Sequence, residues 1–241
     1  MATKKKKPSK PRSKAGPKTW WQSLRRWVVR AALAVVAVFT VWVLVYSVVP
    51  VYATPYMLAE RWRHGELDNR WTPIDDIAPV MARSAVAAED ANFCRHWGFD
   101  MSAIRDAIAE GGQRGASTIS QQVTKNAFLW QGRSWPRKAM EAALTPAVEL
   151  VWSKQRIIEV YLNIAEFDTG VFGVAAAAEH YYGVSASDLT ASQAARLAVV
   201  LPNPKQRSPK SLSPTLMRRA AQVEDGAETI RRDGRAACFE D

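Results

Sequence analysis

The strongest pattern along the chain is an apolar run, with no charged residue from Ala31 to Ala59. Its core, Ala31 to Val49, predicts a helix long enough to cross roughly 30 Å of hydrocarbon. Trp20, Trp21, Arg25, Arg26, Trp27 and Arg30 precede it, an aromatic and basic flank of the kind found at a bilayer interface. A cleaved signal peptide is the nearest alternative, but its apolar region usually spans only about 7–15 residues. The expected organisation is a disordered basic tail over 1–29, a transmembrane helix over 30–50, a linker over 51–69 and a folded domain over 70–241. The positive flank places the N-terminus in the cytoplasm and the domain outside.

Beyond the linker the apolar positions recur at helical spacing between polar breaks. Ile77, Val80, Met81, Ala85 and Ala88 predict a helix over 77–92, with Asp75-Asp76 at its start. Asp100 or Ser102 caps a helix to about Glu110, stopped by Gly111-Gly112. Ser117 or Thr118 starts another, through about Phe128. Pro136 opens a helix carrying Arg137, Glu141 and Glu149, and Pro146 should kink or break it. Ser153 caps the next helix, and Ala175 to Tyr182 forms a short one stopped by Gly183. Thr190 caps a helix ending at Pro202, and Pro214 to Arg232 forms the last. Period-two alternation of useful length is absent, so the class is mainly α.

Charge changes the picture by its distribution. The net charge is +10, but eleven of the 33 Lys and Arg lie in residues 1–30, leaving 22 against 23 Asp and Glu. A nucleic-acid-binding domain would carry its positive charge on a folded face, so nucleic acid is not expected as a partner. Two cysteines, Cys94 and Cys238, do not make a disulfide scaffold, and CxxC and HExxH are absent.

Chemistry concentrates between Glu89 and Glu141. Glu89 ends an apolar helix just before Phe93, His96, Trp97 and Phe99, where partial desolvation would raise its pKa toward that of a general base. It could equally be an acid capping the helix end. His96 beside Gly98 reads as a loop brace. Gln121 and Lys125 share a helical face with Ser117 or Thr118 one turn earlier, able to bind a sugar or phosphate or simply to face solvent. Lys125, Arg133, Arg137 and Lys138 form a cationic cluster. It could clamp a pyrophosphate, or Arg137 and Glu141 could be an ordinary i,i+4 pair.

Five blocks in order resemble the peptidoglycan glycosyltransferase family over about residues 70–210. They are EDANFCRHWGFD, GASTISQQVTKN, RKAMEAALTPAVELVWSK, RIIEVYLNIAEFDTGVFGVAAAAEHYYG and SASDLTASQAARLAVVLPNPKQRSP. The resemblance implies a lysozyme-like domain with a membrane-associated helical lobe, where Phe128, Leu129, Trp130 and Trp135 would fall. It implies polymerisation of the lipid-linked disaccharide-peptide precursor, lipid II, with inversion and release of polyprenyl pyrophosphate. It also implies the bacterial cytoplasmic (inner) membrane as location. No SxxK or KTG occurs, so the form expected is monofunctional.

By the same resemblance Glu89 is the base toward the acceptor 4-hydroxyl, and Glu141 serves the donor pyrophosphate, directly or through a divalent cation such as Mg or Mn. Lys125, Arg133 and Arg137 hold that pyrophosphate. Ser117, Gln121 and Gln122 line the donor side, and Asn163 matches the fourth block. No organic cofactor is implied. Partners would be lipid II, the growing glycan, the membrane, and cell-wall synthesis or division proteins. Asp168-Thr169 and Gln193 depart from the family pattern, which suggests altered loop packing rather than lost activity. Cys94 and Cys238 could pair in an oxidising compartment. The rival readings are a lysozyme-like hydrolase and a non-catalytic anchored scaffold. The cation cluster and the anchor speak against the first, and the retained acids against the second.

Overall fold

The computed structural model describes residues 17–111, 115–132 and 134–240, which fall into two compact units divided between Trp42 and Val43. Helix α1 (Pro17–Tyr46) contains a 27-residue stretch, Trp20–Tyr46, within which an 18-residue window reaches a mean hydropathy of 2.5. At 1.5 Å per residue it is long enough for a bilayer core. Apart from the buried Val43 near its C-terminal end, its valines and leucines are exposed, Val35 at 69 % for example, as a lipid-facing helix requires.

The second unit is helical, with α2 (Pro55–His64), α3 (Pro79–Glu89), α4 (Met101–Ala109), α5 (Ile119–Phe128) and α6 (Trp135–Val151). It continues with α7 (Lys154–Ile164), α8 (Val174–Tyr182), α9 (Ala191–Val200) and α10 (Pro214–Arg232). Two groups of helices build the unit: α3 packs on α9 and α10, and α5 packs on α6 and α7. Met81, Phe93, Ile119, Ile157, Leu162 and Leu197 are fully buried in its core. Caps fall where the local chemistry asks for them. The side chains of Asp100, Thr118, Ser134, Ser153, Thr190 and Ser213 each accept a backbone N–H of the following helix. Gln193, one of the departures from the family pattern, closes a capping box with Thr190, a role that Gln fills as well as Glu.

Four features differ from expectation. Helix α1 begins at Pro17, inside the tail expected to be disordered over 1–29, so the Trp- and Arg-rich flank continues the apolar helix as one element. Residues 55–64, inside the expected linker, form α2, capped by Thr54 and started by Pro55. Pro146 does not break α6, which runs through it to Val151. Thr145 Oγ1 donates to the Glu141 carbonyl at 2.7 Å, and the flanking Thr145, Val148 and Glu149 are buried, so packing outweighs the missing N–H. A small sheet, ordered β1-β3-β2, joins β1 (Asp68–Asn69), β2 (Glu166–Asp168) and β3 (Val171–Phe172). Such short strands leave no alternation to read. Asp168, the other departure, accepts the Tyr181 hydroxyl at 2.6 Å and so ties the hairpin to α8.

Cys94 and Cys238 are disulfide-bonded across 144 residues, fastening the turn after α3 to the C-terminal tail beside the Phe93–Phe239 contact. Gly173, at φ 85°, lies where an added Cβ would sit 2.8 Å from the Asn163 carbonyl oxygen. Gly173→Ala should therefore cost about 1–3 kcal/mol. Chemical denaturation of the detergent-solubilised protein would report it as a lowered midpoint at unchanged slope.

Candidate active site

The polar groups singled out in the sequence come together at one end of α3, α5 and α6. Glu89 is the last residue of α3 and stands half-buried on the wall of a cleft of ≈ 510 Å³. Ser117, Thr118 and Gln122, at the start of α5, line the same cleft. Gln122 Nε2 donates to Glu89 Oε2 at 2.8 Å, and the buried Tyr161 lies behind with its hydroxyl 3.5 Å from Gln122 Oε1. Burial pushes the Glu89 carboxyl pKa up, and neighbouring Asp90 adds to this. The Gln122 hydrogen bond, Arg219 and Lys125 pull it back. A carboxylate raised but still ionisable is what a general base needs.

Asp90 and His96 build the floor. Asp90 Oδ2 accepts the Ile119 N–H at 2.9 Å, and Asp90 Oδ1 meets His96 Nε2 at 2.8 Å. His96 is the brace that its place beside Gly98 suggests: it holds Asp90, which docks the end of α3 onto the start of α5. Thr118 Oγ1 donates to the Gly98 carbonyl at 2.6 Å, closing the same turn.

The cations gather one step along. Arg137 and Glu141 lie one turn apart on α6, both buried, with Arg137 Nη1 2.8 Å from Glu141 Oε2. Lys138 Nζ bonds the other oxygen, Glu141 Oε1, and also donates to Ser117 Oγ at 3.1 Å. Ser117 thus links the cleft that holds Glu89 to the cation cluster. Arg137 is anchored further by donating from Nε to the Gly132 carbonyl at 2.7 Å. Lys125, on the α5 face shared with Gln122, has its pKa lowered by burial and by Arg137 and Lys138, and raised by Glu141 and Glu89. It is thus electrostatically coupled to both acids. Arg133 lies outside the described residues.

Two expected site residues are placed differently. Gln121 closes the capping box of α5, its Oε1 accepting the Thr118 N–H at 3.1 Å. Asn163 is buried in α7, where Oδ1 accepts the Thr72 N–H at 2.7 Å and Nδ2 donates to the Thr72 and Glu159 carbonyls. It pins the chain entering the domain. Arg219 of α10 is the residue that sequence reasoning missed: it lines the cleft and donates to the Ala88 carbonyl at 3.2 Å. Nothing local distinguishes it from its neighbour Arg218.

A base on a cleft wall, joined through Ser117 to a cluster of cations around one buried acid, suits transfer from a phosphate-leaving donor. Residues 57–228 match the family model described as "Transglycosylase". A protein of Jannaschia sp. (strain CCS1) named "Biosynthetic peptidoglycan transglycosylase" is 61% identical over 218 residues, covering 90% of this chain and 91% of its own length. A protein of the same name from Pectobacterium atrosepticum is 50% identical over 198 residues, covering 77% and 80%. One from Cronobacter sakazakii is 50% identical over 192 residues, covering 75% and 80%.

Proposed function

The chain belongs to the transglycosylase family, and from that premise we propose how its site divides the work. The protein is a peptidoglycan glycosyltransferase that polymerises lipid II into glycan strands and releases polyprenyl pyrophosphate. The observation that carries the assignment of roles is the continuous polar path from Glu89 through the cleft and Ser117 to Lys138, Glu141 and Arg137. Glu89 takes the proton from the acceptor sugar's 4-hydroxyl, with Gln122 holding its carboxylate in place. The hydroxyl oxygen attacks the anomeric carbon of the donor, and the bond to the pyrophosphate oxygen breaks on the opposite face. The electron pair leaves with the pyrophosphate, where Lys125, Arg137 and Lys138, together with Arg133, neutralise it.

The donor set argues against a resident metal. Each Glu141 oxygen already faces a cation, and among the described residues no cluster of three His, Cys, Asp or Glu forms. Glu141 therefore acts as the counter-charge that positions Arg137 and Lys138, and any divalent ion would arrive with the pyrophosphate. In a polymerisation assay on the lipid-linked disaccharide-peptide, long glycan should form, and a chelator should change the rate by no more than a few-fold. Loss of activity with chelator, restored by Mg or Mn, would return Glu141 to a metal role. Degradation of preformed glycan without polymer would favour the hydrolase reading.

Helix α1 is the membrane anchor, consistent with its length and its exposed apolar surface. Its basic N-terminal flank puts the tail in the cytoplasm and the catalytic unit outside, at the inner membrane where lipid II is displayed.

A further inference from the structure

Helix α2 is short, and its two faces differ. Met57 and Glu60 are buried, at 2% and 1% exposure, and fix the helix to the rest of the unit. Leu58 and Trp62, one turn apart on another face, are exposed at 58% and 89%. Trp62 is thus as bare as Trp135 of the expected membrane lobe, at 88%. Tyr52, Met57, Leu58 and Leu67 line an open groove of ≈ 370 Å³ that also takes in Arg61. An exposed tryptophan and leucine beside two arginines is an unusual surface for contact with water.

What covers this surface is indicated by where α2 begins. Tyr46, the last residue of α1, donates its hydroxyl to the Ala53 carbonyl at 2.8 Å, two residues before α2 starts. The guanidinium of Arg156 holds the intervening turn, donating to the Tyr46 carbonyl at 2.9 Å and to the Val49 carbonyl at 2.5 Å. The start of α2 is therefore held within reach of one tyrosine side chain from the end of the membrane helix.

We propose that α2 is an interfacial helix lying on the lipid surface where α1 leaves it, with Leu58 and Trp62 inserted at headgroup level and Arg61 toward anionic lipid. Tryptophan favours that depth, and arginine keeps its head among phosphates while its stem stays apolar. Arg63 is shared, since it also pairs with the buried Glu60 at 2.6 Å. The proposal rests on reading α1 as a membrane span. It gives the catalytic unit an attachment at the point where the chain enters it, in addition to the exposed Trp130 and Trp135.

The test uses the full chain in phosphatidylethanolamine–phosphatidylglycerol liposomes. The native cysteines are paired, so a single added thiol can be labelled with an environment-sensitive fluorophore. Three variants are compared: Trp62→Cys on α2, Val38→Cys in α1 and Asp225→Cys on the exposed side of α10. The Trp62→Cys label should be blue-shifted, protected from iodide and quenched by shallow spin-labelled lipid. The Val38→Cys label should be quenched by deep spin-labelled lipid, and the Asp225→Cys label should report water. A deep Val38→Cys signal with an aqueous Trp62→Cys signal would overturn the α2 proposal and leave the anchor standing. Aqueous signals at both would sink the anchor reading and the proposal with it. A protected Trp62→Cys label without lipid quenching would mean that protein, such as a second copy, covers the face, and would also overturn it.

Discussion

Glu89→Gln should reduce glycan polymerisation by about 10²–10⁴-fold, the range that a positioned general base supplies. The substitution keeps size and shape and removes only the ability to take a proton. It also leaves a group beside Gln122 that can still hydrogen-bond, so the unfolding midpoint should stay near that of the parent. The pH profile gives a second readout. Burial raises the Glu89 pKa, and the base works only when ionised. Activity in the parent should therefore rise with pH through a limb above the ordinary carboxylate value of about 4.3. It should fall again at high pH as Lys125, whose pKa is lowered, loses its charge. The residual activity of Glu89→Gln should lack the acidic limb while keeping the basic one. Parental rates in Glu89→Gln, or an unchanged acidic limb, would remove Glu89 from the chemistry.

Much of the scaffold is legible because its punctuation is local. Ser153, Gly183, Thr190 and Pro214 each mark a helix end by side-chain or backbone chemistry that needs no distant partner, and each helix forms there. The same signals stand at α2, where Thr54, Pro55 and Gly65 bracket the helix, but the surrounding aromatics and charges gave it the look of a linker. Pro146 misleads for the opposite reason: the local rule is correct, and burial of α6 overrides it. The site follows the same division. Glu89, Lys125, Arg137 and Glu141 can be placed on helix faces from spacing. What each touches across the fold depends on long-range closure. Asn163 bonds Thr72, 91 residues earlier, and Arg219 reaches Ala88 across 131 residues. Family likeness supplied the residues, but it could not tell that Gln121 caps a helix while Gln122 holds the base.

Arg137→Gln should lower turnover by about 10²–10³-fold, the cost of removing one preorganised charge from a developing anion. Lys125, Arg137 and Lys138 face one carboxylate, Glu141, so the described cluster carries two net positive charges. The donor's pyrophosphate diester brings two negative charges, and bond breaking adds a third on the leaving oxygen. The cluster is thus matched to the bound donor and is called on further as the bond breaks, so the loss should appear in kcat more than in KM. Arg137 also holds Glu141 at 2.8 Å and is itself held by the Gly132 carbonyl. Its removal frees a buried carboxylate to compete with the substrate for Lys138. Arg137→Lys restores the charge without the forked donors and should recover only part of the loss. Glu141→Gln should instead leave two cations without their counter-charge, binding the donor but misplacing Arg137 and Lys138 around it. A purely structural role for Arg137 would lower the unfolding midpoint and leave kcat per folded molecule unchanged, and that result would break the assignment of this cluster to the leaving group.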